Sequence, residues 1–134
     1  MTIDPRLALY GSIILGGVYV GGLDIEYIHR QYDLDQDTKL IMYLHGLVLA
    51  YMIQGAIFYE RSDILMHLLS LITIALLWVY NRICILTLFV KNRVTYTEED
   101  YNSIIKKYDT RVRDVFKTII PLIFIDAMKL LYLK

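Results

Sequence analysis

Apolar positions along this chain fall into four blocks, with polar stretches between them. The first block is Leu7–Leu23, "LALYGSIILGGVYVGGL". Asp4 followed by Pro5 marks its start, a capping acceptor before a proline at the first helical position. The second block is Leu40–Tyr59, 20 residues and therefore of spanning length. The third opens after "ERSD", where Ser62 can cap and Asp63 can sit in the positive first turn, and it runs to Val90. The fourth, Thr118–Leu133, is shorter and contains Pro121, Asp126 and Lys129. Ahead of it Tyr101, Ile104, Ile105, Tyr108, Val112, Val115, Phe116 and Ile119 recur at helical spacing. That pattern predicts an amphipathic helix from near Glu98, started by Thr97 and Asp100 in a capping-box arrangement.

The pattern therefore predicts an all-α integral membrane helical bundle of one domain, residues 1–134. It would have three to four transmembrane helices and one amphipathic helix, with helices at about 5–28, 40–59, 63–90 and 98–133 and a kink near Pro121. Composition strengthens the membrane reading. The chain is 57% hydrophobic over 134 residues, and its mean hydropathy is +0.46. A water-exposed fold of this size would leave too much apolar area uncovered. Fourteen basic and fourteen acidic residues cancel, so net charge gives no reason to expect nucleic acid. One cysteine excludes an internal disulfide, and twelve tyrosines suit membrane–water boundaries. The start "MTIDPR" has no basic region, so the first block reads as a helix rather than a cleaved signal.

Arg82 interrupts the third block. Counted from the turn at Arg61 it lies ~31 Å along a helix, about the thickness of the hydrocarbon, so it should reach the opposite interface. There it can pair with an acid from the 24–39 connection, which carries Asp33, Asp35 and Asp37. The two long connections share one side and hold most of the Lys and Arg, including Lys106, Lys107, Arg111 and Arg113. The positive-inside rule assigns that side to the cytoplasm or its equivalent. These two sets of charges, with Arg82, are the expected interaction residues, for lipid headgroups or other subunits of an assembly; a solvated helix face is the other reading of the basic set. Gly17 and Gly21 stand in G-x-x-x-G spacing, either a helix-packing face or the general abundance of glycine in membrane helices.

Several chemistries fail on spacing. "DLDQDT" alternates acids as a calcium loop does, but Thr38 and Leu44 stand where an EF-hand needs glycine and glutamate, so a turn capping the next helix is expected. His45 and His67 differ in depth, ~24 Å against ~9 Å from the turn, so they cannot share a haem iron. Each is expected to bond a neighbouring helix or lie near an interface. Asp126 and Lys129 are three apart and can pair on one helix face, and an ion or proton route is the other reading of such charges. Neither a nucleophile triad, a phosphate loop nor a zinc-protease motif occurs. No enzyme activity, cofactor, metal, nucleic-acid partner or small-molecule substrate is expected.

His67, Trp78, Asn81, Cys84, Leu86 and Thr87 compose H-x(10)-W-x-x-N-x-x-C-x-L-T. This resembles a pattern in small multi-spanning virion membrane and minor capsid proteins of large icosahedral DNA viruses with an internal membrane, the phycodnavirus-like group. The acidic residue that often follows the threonine there is Val90 here. The resemblance implies a structural protein of the virion inner membrane that anchors the capsid lattice. Trp78, Asn81 and Thr87 would end a helix at the interface, Trp78 as anchor. The alternatives are an accessory subunit of a large membrane complex, such as a respiratory assembly of the mitochondrial inner membrane, and an ion or proton conductor.

Overall fold

Pro5 opens the first helix as its sequence suggests. The Asp4 side chain accepts from Arg6 N at 2.9 Å and its carbonyl from Ala8 N at 3.0 Å. The computed structural model describes residues 2–29, 34–81 and 117–133. They form α1 (Pro5–His29), α2 (Gln36–Gln54), a 3-10 turn (Gly55–Ile57), α3 (Arg61–Asn81) and α4 (117–132). No strand occurs among the described residues, and the fold is an all-α membrane helical bundle. Three segments are long and apolar enough to cross a bilayer: Pro5–Glu26, Gln36–Ile57 and Arg61–Tyr80, with mean hydropathies of 1.5, 1.7 and 1.9. Large apolar side chains are exposed along every helix, as a lipid-facing surface requires.

Helix boundaries depart from the hydropathy blocks where caps decide them. α2 begins at Gln36, not near residue 40, because Asp35 Oδ1 accepts Thr38 N at 2.8 Å and polar residues complete the first turn. Its α-helical part ends at Gln54, where Gly55–Ile57 tighten into a 3-10 turn. α3 begins at Arg61, so Ser62 lies inside the first turn and is not its cap; the Glu60 carbonyl accepts the Ile64 N–H. The helical backbone of α4 is continuous through Pro121. The continuation of the third block to Val90 and the amphipathic helix near 98–116 lie outside the described residues.

Two close approaches hold the bundle. At the first, α1 and α2 cross backbone to backbone. A Cβ on Gly17 would stand 2.6 Å from Leu47 Cα, one on Gly21 2.8 Å from Tyr43 Cα, and one on Gly46 would strike the Gly17 carbonyl oxygen. Small residues at a crossing bring whole backbones into van der Waals contact, the main attraction between helices in lipid. At the second, Met52 of α2, Leu71 and Trp78 of α3, and Ile119 and Leu122 of α4 form a buried apolar layer. Trp78 is only 7% exposed, so its ring packs helices together instead of facing headgroups as an anchor would, while Tyr80 nearby is 87% exposed. A smaller cluster of Ile13, Ala50, Phe58 and Ile64 closes the turn end.

Polar contacts set the order of the helices. Arg6 near the start of α1 reaches Asp63 near the start of α3, and Arg61 reaches the carbonyls of Leu130 and Leu133 at the end of α4. The start of α1, the α2–α3 turn and the end of α4 therefore share one end of the bundle, and neighbouring helices alternate in direction.

Candidate functional site

Polar side chains gather at this turn end and extend one helical turn into the bundle. The outer tier is Arg6, Tyr10 and Asp63. Arg6 grips the Asp63 carboxylate with both Nε (2.8 Å) and Nη2 (2.7 Å), and Tyr10 OH donates to Oδ1 at 3.0 Å. Asp63 is nearly buried while Arg6 remains half exposed, so the pair sits at a boundary between bundle and surface. A two-pronged guanidinium contact suits this position because it satisfies both carboxylate oxygens at once.

The inner tier lies one turn further along α3. His67 and Asp126 are both fully buried, and His67 Nδ1 stands 2.6 Å from Asp126 Oδ2. His67 Nε2 stands 3.0 Å from the Met52 carbonyl oxygen. That carbonyl can only accept, so Nε2 must carry hydrogen. The ring has no space above it. Gly55 lies against one side, where any Cβ would collide with the imidazole, and Tyr51 and Phe58 meet it edge-on with ring centroids at 5.1 and 5.7 Å.

The 3-10 turn explains why carbonyls are available here. Leaving the α-helical ladder exposes carbonyl oxygens that the next turn would otherwise use, and buried polar backbone in hydrocarbon must find partners within the protein. Lys129 supplies them: its ammonium donates to the carbonyls of Ala56 and, at 3.0 Å, Phe58. A cation at a helix C-terminus also answers the negative end of the helix dipole. Asp126 and Lys129, expected to pair on one face of their helix, instead bond different partners across the bundle. Ser12 Oγ donates to Gln54 Oε1 at 2.8 Å, while Ser70 and Thr73 return their hydroxyls to the carbonyls of Met66 and Leu69 on α3 itself.

Past His67 and Asp126 on α3 and α4 lies the apolar layer of Leu71, Trp78, Ile119 and Leu122. On α2, Thr38 and His45 are further buried polar residues toward the far end. Two surface grooves are lined almost wholly by apolar side chains, one by Thr73, Leu76, Leu77, Val79 and Tyr80, the other where the 3-10 turn meets α4 around Ile57, Phe58, Met128 and Tyr132. With Nε2–H bound to a carbonyl and the ring enclosed, His67 offers no free basic nitrogen to a substrate.

The residues singled out from sequence divide sharply. Gly17 and Gly21 form the α1–α2 crossing, and Asp35 caps α2 with Asp37 in its first turn. Trp78 packs in the core. Arg82, Asp33, Thr87, Lys106, Lys107, Arg111 and Arg113 lie outside the described residues, as does the Asn81 side chain. The sequence expectations do not pair His67 with Asp126, although depth arithmetic carries a signal for that contact. His67 is ~9 Å beyond Arg61 and Asp126 ~10 Å before Leu133, so the two reach one level if both helices meet the same face. No group of His, Cys, Asp and Glu suited to a metal ion occurs among the described residues. No family model matches the chain, and neither a curated protein nor a solved structure is detectably similar to it.

Proposed function

We propose that this chain is a non-enzymatic structural membrane protein that anchors a larger assembly. The His67–Thr87 motif points to the inner membrane of a large icosahedral DNA virus as its place. The observation that carries the anchoring role is the use made of the buried polar groups. Arg6, Asp63, His67, Asp126 and Lys129 each tie one element of the bundle to another. On α3 and α4 the polar tiers give way to an apolar layer. A rigid hairpin pair with its charges tied internally is suited to holding a position in a membrane. The charged connections would then bind the partners, with Lys106, Lys107, Arg111 and Arg113 facing acidic surfaces or headgroups, and Asp33, Asp35 and Asp37 facing basic ones. Arg82 would pair within the latter connection.

Reversing the charge of Lys106, Lys107 and Arg111 together tests this role. Native gels of mild detergent extracts should show loss of the large assembly, while resistance to alkaline extraction stays unchanged because insertion depends on the apolar helices. Purified protein in liposomes should carry no ion or proton current. Robust flux abolished by Asp126→Asn would replace anchoring with transport.

A further inference from the structure

The contacts of His67 specify a count of hydrogens. Nε2 needs one to meet the Met52 carbonyl, and the 2.6 Å approach of Nδ1 to Asp126 Oδ2 needs another between two atoms that would otherwise oppose lone pairs. The pair is thus imidazolium with carboxylate, or imidazole with carboxylic acid. Both forms are neutral overall, as an interior closed to water requires. We infer that His67 and Asp126 together form a proton-binding site whose one shared proton holds α4 on the α2–α3 hairpin. This stands independently of what the protein anchors.

Removing that proton leaves a single ring hydrogen for two acceptors. A lone pair must then face either Met52 O or Asp126 Oδ2, and a negative charge stays on residues with no exposed surface. Among the described residues Asp126 Oδ1 has no hydrogen-bond partner to take up the difference. The other described ionisable groups nearest the pair have contacts of their own. On α4, the Lys129 ammonium is held by the Ala56 and Phe58 carbonyls. On α3, Asp63 is closed by Arg6 and Tyr10 of α1. On α2, Tyr51 presents its ring to the edge of His67. Asp126 is the residue of α4 that carries the contact, so loss of the proton weakens the docking of that helix. Stabilisation is present with the site protonated and is lost as pH rises through its titration.

Trp78 reports the docking, because it is the chain's one tryptophan and it packs in a cluster with Ile119 and Leu122 of α4. The protein would be placed in nanodiscs whose acyl chains carry bromine, a contact quencher, and Trp78 emission followed as pH is raised, with Asp126→Asn as the reference at every pH. Docked, Trp78 is shielded from lipid. Quenching should rise several-fold with pH along a one-proton curve. Asp126→Asn should stay shielded throughout, because an amide N–H gives Nδ1 its hydrogen without titrating. His67→Gln should give a curve unlike that of the unaltered protein, since the imidazole no longer shares the proton. Quenching of the unaltered protein that matches Asp126→Asn at every pH overturns the inference. If Asp126→Asn does not fold, the unaltered protein and His67→Gln decide the matter.

Discussion

Gly46 is a point of closest approach between α1 and α2, where a methyl group would meet the Gly17 carbonyl and the Gly21 backbone. Backbone cannot step aside as a flexible side chain can, so Gly46→Ala should destabilise the fold by about 1–3 kcal/mol. Gly11, with nothing within 4 Å of its would-be Cβ, is the control: Gly11→Ala should leave the midpoint of unfolding in mixed detergent unchanged or raised. The buried pair makes a second prediction at this scale. His67→Leu strands the Asp126 carboxyl group among apolar neighbours without its partner and should cost about 3–5 kcal/mol. Adding Asp126→Leu removes the stranded group, so the double variant should be more stable than His67→Leu alone. Equal losses in a thermal denaturation series would mean that the carboxyl is satisfied some other way.

At the scale of elements, the 3-10 turn joins α2, α3 and α4. It frees the carbonyls that Lys129 binds, it presents Gly55 to the His67 ring, and it brings Phe58 into the core beside Ile64. Lys129→Met keeps the length and apolar stem of the side chain but leaves the carbonyls of Ala56 and Phe58 without their donor. Amide hydrogen exchange over 55–60 and over 129–133 should then quicken together, because the lysine links these two segments. Faster exchange in only one segment would show that the turn and the α4 end are held separately.

For the whole molecule, the alternation of helix direction is a topological statement. The start of α1, the α2–α3 turn and the end of α4 are tied by Arg6–Asp63 and by Arg61 on the last carbonyls of α4. In a Cys84→Ser background, single cysteines at Thr2 and Ser62 should be labelled by an impermeant reagent from one face of the membrane, and one at Gln36 from the other. Labelling of positions 2 and 62 from opposite faces would contradict the bundle. The arrangement also groups charge unevenly. The turn end carries Arg6, Asp63, Lys129 and Arg61 in mutual or backbone contacts, leaving the far end to the charged connections through which assembly is proposed.

What the sequence determines by itself is set by neighbours along the chain. Asp4–Pro5 starts α1, Asp35 caps α2, and the apolar runs mark three spanning helices, because capping and hydropathy act within a turn or two and need no partner helix. The spacing of Gly17 and Gly21 shows a smooth helix face, but not that Gly46 meets it. The choice of partners belongs to the tertiary structure. Asp126 has Lys129 three residues away and still bonds His67, 59 residues distant, while Lys129 turns to the backbone of the α2–α3 turn. Trp78 likewise faces the core and not the headgroups. Such outcomes depend on how far each helix is rotated about its own axis. That rotation follows from the glycine crossing, the short turn and the packing of all four helices together, and no local stretch of residues contains it.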